Sequence, residues 1–459
     1  MMPGPLSRYR RATGGSPRRR SGPALLAALA LAVGLCAATG GRSEAAAGGA
    51  ARVDNPYAGA QVYVNPEWSA KAAAEPGGEA VSGRPTAVWL DSRASIDGAD
   101  GTMGLRDHLD AALEQDADLV QLVLHSIPGR DCDRLMSFGE LAPGDIDGYR
   151  AKFLEPITTV LAEPAYAGLR IVTVVEPSSL QLLVTHTAPR AVSTPLCDEM
   201  RANGNYVSGV SHALAELGAL PNVYSYLDIG HHAELGWEDT LSPVAEVLLE
   251  AATLEGTVAD VHGIVANVAD YSVLHEPHID IDDTVRGVGV HQSRWIDWND
   301  YVDEVPYALA FRDELVRLGF DEGLGVLVDT SRNGWGGPGR PAGPGPLTTV
   351  DEYVDGGRLD RRLSPANWCN QENSGLGERP AAAPEPGIDA YVWVKPPGES
   401  DGASGSNGGW EYDRMCDPLY NGHPGSGHRP TGALPDAPAY QEWFPEHFRQ
   451  LLANAWPPL

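Results

Sequence analysis

No Cys-x-x-Cys pair, no internal repeat and no Ser/Thr/Pro-rich linker beyond residue 55 occurs in this 459-residue chain. Those absences argue against a zinc ribbon, a solenoid and a string of tandem modules. Basic residues are also short: 33 Lys and Arg face 62 Asp and Glu, a formal charge of −29. Such a surface repels nucleic acid and anionic membranes, so neither is expected as a partner, whereas a neutral polymer is compatible with it. The most apolar run, residues 24–38, is too short to span a bilayer comfortably.

What is present begins with an export signal. Arg8, Arg10, Arg11 and Arg18-Arg19-Arg20 form a basic region, residues 24–38 an apolar one, and Ala45-Ala46-Ala47 a small-residue cleavage site. Residues 1–47 are therefore expected to be a signal peptide, residues 48–54 a short flexible N-terminus, and the protein secreted. Seven arginines and one glutamate leave with that segment, taking the formal charge to −35. Four cysteines then remain, Cys132, Cys197, Cys369 and Cys416. An even count outside the cell suggests two disulfides, with three pairings possible.

Seven short apolar runs follow, at 86–90, 119–125, 169–175, 222–227, 263–268, 325–330 and 390–395. Near-continuous Val, Leu and Tyr is the pattern of parallel strands covered on both faces. Between them lie helical stretches: 105–115, 146–162 capped by Asp145, one opened by Ser242-Pro243, 302–318 stopped at Gly319, and a last one over 440–455. This alternation predicts an α/β fold, a distorted seven-stranded parallel barrel formed as one domain over 55–459. The Gly- and Pro-rich stretches 332–366 and 396–439 read as long loops roofing the barrel mouth.

Each apolar run ends in a polar cluster, which places Asp131, Glu176, Ser178, Glu399 and Asp401 just past strand ends. Carboxylates gathered at one mouth of such a barrel are what hydrolysis of a sugar–sugar bond requires. Singly, each has a duller explanation, since an Asp past a strand is usually a helix cap. His231-His232 lack a third metal ligand, 279–283 lacks the glycine and closing glutamate of a calcium loop, and 332–346 lacks the Lys-Ser/Thr of a phosphate loop. No metal and no cofactor are expected. The joint occurrence of the clusters carries the reading.

The chain resembles glycoside hydrolase family 6, the inverting β-1,4-glucanases, over residues 55–459. The matching segments include NPYAGAQVYVNPEW at 55–68, IPGRDCDRLMSFGEL at 127–141 and LDIGHHAELGW at 227–237. DTSRNGWGG at 329–337, NWCNQENSGLGERP at 367–380, VWVKPPGESDGAS at 392–404 and YDRMCDP at 412–418 extend it in the family's order, and the long loops are similar to those of bacterial cellobiohydrolases. The resemblance implies that Asp131 steadies the positive sugar ring and Asp401 is the general base, acting through a water that Ser137 positions. It puts Asp228 near the cleavage point, and Tyr63, Asn65, His231, Trp237, Asp270, Trp368, Lys395 and Glu399 at sugar-contacting positions. It pairs Cys132 with Cys197 and Cys369 with Cys416, and implies a monomer acting on a β-glucan.

Departures from the family pattern cluster at the same place. Ser178 stands where the family carries its general acid, an Asp. A hydroxyl cannot protonate a leaving oxygen as a carboxylic acid does, and loss of a positioned acid forfeits about 10²–10⁴ in rate. His125 replaces a Tyr, Glu234 a Trp, Asp270 an Asn, and Phe138 follows Ser137 where Asn is common. Two readings stay open: a rebuilt site in which His125, Glu234 or Asp131 supplies the proton, or a degraded site that still binds glucan.

Overall fold

The computed structural model describes residues 52–99, 101–134, 139–405, 412–422 and 427–459. Ten strands lie in these segments: β1 Val88–Leu90, β2 Leu119–Leu124, β3 Arg170–Val175, β4 Val223–Asp228, β5 Gly263–Ala266, β6 Thr284–Val285, β7 Val288–Gly289, β8 Gly325–Asp329, β9 Ala381–Ala382 and β10 Ala390–Val392. The main sheet runs β1-β2-β3-β4-β5-β8-β10-β9. Its first seven strands are parallel and coincide with the seven apolar runs. The eighth, β9, is a two-residue antiparallel addition to β10. β6 and β7 form a separate hairpin.

Period-two alternation explains why continuous apolar runs were needed. On β2, Val120, Leu122 and Leu124 join the core that packs against the helices, while Leu119 and Val123 join a second cluster with Val172, Val174, Tyr224, Tyr226, Val265 and Leu327. Both faces of the strands are thereby removed from water. The backbone N–H of Ala87, beside β1, donates to the Trp393 carbonyl beside β10 at 3.0 Å. The Trp89 indole adds a bond to the Val394 carbonyl at 2.8 Å. The first and last parallel strands thus meet, and the sheet curls into a barrel.

The helices follow their local signals with two corrections. Asp145 accepts from the Gly148 N–H at 3.0 Å at the head of residues 146–161, whose middle, Tyr149–Leu154, winds as a π-helical turn. Helix Glu304–Leu318 ends at Gly319 with φ +114°, a conformation glycine adopts without a Cβ penalty. The helix expected to open at Ser242-Pro243 instead spans Glu238–Leu254, with Pro243 inside it. Proline there frees the Asp239 carbonyl, and Arg190 Nη2 takes it up at 2.7 Å. Stretch 332–366 is not structureless either: Val350–Gly357 is a helix capped by Thr349. Helix Pro445–Ala453 packs Phe448 and Leu451 on Trp68 and Trp393 beside the seam. No helix among the described residues is long and apolar enough to cross a membrane.

Candidate active site

The C-terminal strand ends open into a cavity of about 610 Å³. Its wall holds Asp131 from beyond β2, Ser178 from beyond β3, Asp228 at the end of β4, Asp270 beyond β5, and Lys395 and Asp401 beyond β10. His231, Trp237 and Trp368 also face it. Pro365 and Ala366 come from one of the two long loops and Arg414 and Met415 from the other, so both border the mouth.

Local backbone turns aim these groups. Asp131, Glu176 and Ser178 adopt left-handed φ of +55°, +45° and +52°, which bend the chain sharply at the tips of β2 and β3. Glu176 itself points away from the opening: its Oε2 accepts from the N–H groups of Ser126 and Ile127, both at 2.9 Å. It thereby fixes the segment that leads to Asp131. Asp228 accepts from Ser178 N–H at 2.9 Å, Gln181 Nε2 at 2.8 Å and Gly230 N–H at 2.9 Å.

The electrostatics separate the acids. Burial alone would raise the Asp131 carboxyl, but Arg134, His125 and Arg130 hold it below the ordinary range. The Arg134 Nε lies 3.5 Å from its Oδ1 and the His125 Nε2 3.7 Å. Asp401 is buried too, yet Arg332, Lys395 and the Asn370 N–H bring it down to about 2. Arg332 Nη1 reaches both its oxygens, at 2.8 and 2.7 Å, while Asn370 N–H donates at 2.9 Å and the Tyr271 hydroxyl at 3.2 Å. Asp270 likewise stays low against its burial, facing His231 at 3.5 Å and Arg362 at 2.6 Å. His125 is driven down to about 3 by burial and by Arg130. Glu234 moves the other way, to about 8, through burial and the charges of Asp228 and Asp133.

Several expected residues lie elsewhere. Tyr63 is buried in the helix-side core with its hydroxyl 2.9 Å from His108 Nδ1, so it presents nothing to the cavity. Asn65 is spent as the cap of helix Pro66–Ala74, accepting from Glu67 N–H at 3.0 Å. Glu399 sits behind the wall, near enough to Lys395 and Lys71 for both to lower a carboxyl that burial raises to about 7. Ser137 and Phe138 fall outside the described residues. His232 is a core residue, its Nδ1 2.5 Å from Glu304.

The sequence reading missed the arginines. Arg332, Arg362 and Arg134 set the charge of Asp401, Asp270 and Asp131, and Arg134 also lies 4.2 Å over the Trp368 ring. Arg332 and Arg134 stood inside matched segments, DTSRNGWGG and PGRDCDR, so motif position was the available signal. The disulfides join Cys132 to Cys197 and Cys369 to Cys416. Among the described residues no group of three metal-ligating side chains converges.

A parallel barrel with an acid-lined cavity at its strand C-termini is the general layout of an α/β-barrel enzyme. The sequence model of glycosyl hydrolases family 6 matches residues 50–455, and the chain belongs to that family. Exoglucanase A of Cellulomonas fimi is 41% identical over 433 residues, 88% of this chain and 49% of that protein. The chain thus spans about half the length of that relative. A probable 1,4-β-D-glucan cellobiohydrolase C of Aspergillus niger is 31% identical, with 88% and 78% covered. Among solved structures, the catalytic domain of Cellulomonas fimi Cel6B superposes with TM-score 0.84 at 40% identity, covering 89% of this chain and 97% of that one. The cellobiohydrolase Cel6A of Humicola insolens, solved with a thio-cellopentoside, gives 0.70 at 27%, with 89% and 100% covered.

Proposed function

We propose that this chain is a secreted β-1,4-glucanase that hydrolyses cellulose or a related β-glucan with inversion, in the manner of a cellobiohydrolase. The observation that carries this reading is the meeting of Asp131, Asp228 and Asp401 with Trp237 and Trp368 around one cavity. A tryptophan face suits the C–H face of a pyranose, and half-buried rings on the wall offer two such platforms. Ionised Asp131 would stabilise the positive charge that develops on the sugar ring. Asp401, held as a carboxylate by Arg332 and Lys395, would be the negative end of a water relay. Its low proton affinity makes it a weak base on its own, so the proton passes on to solvent. The basic and apolar segments before residue 47 support export, and a monomer would suffice for this chemistry.

Product analysis on soluble β-glucans, with the anomer identified by NMR, tests the proposal. Cellobiose released as the α-anomer from β-1,4 substrates is expected, and no product from any β-1,4-glucan would refute it. Ser178 favours one rival, a polysaccharide-binding protein that no longer cuts. An aryl β-cellobioside with a good leaving group separates the two, because its departure needs little acid. Binding without turnover of that substrate would establish the rival.

A further inference from the structure

The glucanase reading leaves one proton unaccounted for, since Ser178 cannot deliver it. Asp133, also on the cavity wall, is raised by burial but has the Arg134 guanidinium drawing it back toward the carboxylate. His125 is neutral, and Asp131, Asp270 and Asp401 are each held as anions by neighbouring cations. Burial raises Asp228, but both its oxygens accept hydrogen bonds, from the Ser178 and Gly230 N–H groups and from Gln181, which hold it as an acceptor rather than a donor.

Glu234 differs in place and in partners. It stands on the short helix His232–Leu235 just past β4, three residues before Trp237. Its Oε1 lies 3.2 Å from the Thr185 hydroxyl. Its Oε2 lies over Gly230, where an added Cβ would come within 2.9 Å of it, so the carboxyl rests directly above the loop that Asp228 organises. Among the described residues no lysine or arginine is paired with it. The charged groups that face it are acidic: Asp228 at the end of β4, Asp133 from beyond β2 and Asp270 from beyond β5. His186 beside Thr185 interacts with Asp133, and Tyr307 approaches from helix Glu304–Leu318. Partial burial among anions pushes the carboxyl up to about 8, so it holds a proton at neutral pH.

The sheet order supplies the direction. β4 is separated from β10 by β5 and β8 on one side, and by β3, β2, β1 and the seam on the other. Glu234 and Asp401 therefore reach the cavity from opposing walls. Inversion requires acid and base on opposite faces of the sugar.

We propose that Glu234 is the proton donor to the leaving glycosidic oxygen, in place of the acid that position 178 lacks; this rests on the glucanase reading above. As the C1–O bond breaks, its electron pair stays on the leaving oxygen, which takes the Glu234 proton. Water forms the new C1–O bond from the opposite face and gives its proton through the relay at Asp401 to solvent. Glu234 is then reprotonated from water.

The test uses the whole chain with Glu234→Gln and Glu234→Asp, assayed on cellohexaose and on 2,4-dinitrophenyl β-cellobioside. Glu234→Gln should lose about 10²–10⁴ in kcat on cellohexaose and change little on the dinitrophenyl substrate. Glu234→Asp, which keeps the acid, should retain a measurable part of the cellohexaose rate. The alkaline limb of the parent's cellohexaose profile, near pH 8, should vanish in Glu234→Gln. An unchanged cellohexaose rate in Glu234→Gln overturns the proposal while leaving the glucanase reading intact. So does equal loss on both substrates, or a Glu234→Asp protein as inert as Glu234→Gln yet binding cellohexaose normally. A parent protein inert on both substrates sinks the glucanase reading and this proposal together.

Discussion

The backbone N–H of Ser178 donates to Oδ2 of Asp228 across 2.9 Å, so the tip of β3 is fastened to the end of β4 whatever side chain position 178 carries. A change of side chain there should therefore leave the scaffold in place.

Ser178→Asp is expected to fold normally, because aspartate tolerates the left-handed φ of +52° at that position. The new carboxyl would stand among Asp228 and its neighbours, and repulsion would favour its protonated form. In a Glu234→Gln background it should restore cellohexaose hydrolysis by about 10²-fold or more. Initial rates on cellohexaose check this, and an inert double variant would count against the role given to position 178.

Arg332→Leu should be strongly destabilising. The guanidinium is buried and binds both oxygens of buried Asp401, so its removal strands a charge in the interior. A loss of about 3–5 kcal/mol is expected by denaturant titration. Asp401→Asn combined with Arg332→Leu should recover part of it.

Stability should peak in mildly acid solution. Asp401 is depressed from 3.8 to about 2, so the stability it contributes is complete above about pH 4 and is lost as pH falls toward 2. Glu176, and Glu276 where it accepts from the Leu359 and Asp360 N–H groups, are raised by burial from 4.5 to about 7 and 8. Their native forms keep protons that the unfolded chain has released, but buried His108, His125 and His447, lowered to about 4, 3 and 3, oppose them below about pH 6.5, so the decline runs from about pH 6.5 through 8. Thermal unfolding across pH 2–9 should trace this dome, and a Tm still rising between pH 7 and 8 would contradict it.

Paired replacement Cys369→Ser and Cys416→Ser opens a loop with ends 47 residues apart in sequence, at an expected cost of about 4 kcal/mol. Trp368 adjoins Cys369, so cello-oligosaccharide affinity should fall along with Tm. Calorimetry and titration on the same sample would read both.

The barrel was legible because its strands are buried on both faces and so carry uninterrupted apolar runs; each expected strand matches an observed one within a few residues. Asp145 and Gly319 were legible as caps for a different reason: their chemistry acts within one turn of helix. Pro243 misled the reading because the repair of its lost hydrogen bond comes from Arg190, 49 residues from the freed Asp239 carbonyl. The arginine partners of Asp401 and Asp270 stand 69 and 92 residues distant, beyond any periodicity. Tyr63 and Asn65 were placed at the site by motif alone, but one is absorbed by core packing and the other by a helix start.

Asp131, Glu176 and Ser178 hold backbone twists that glycine would adopt freely, at a cost of about 1–2 kcal/mol each for Glu176 and Ser178 and less for Asp131. Engineering this protein for heat resistance would find glycine attractive at all three positions. Taking that route would harden the shell while stripping an anion and a hydroxyl from the opening and releasing the clamp beneath them, so gains in durability should instead be sought on the far side of the barrel.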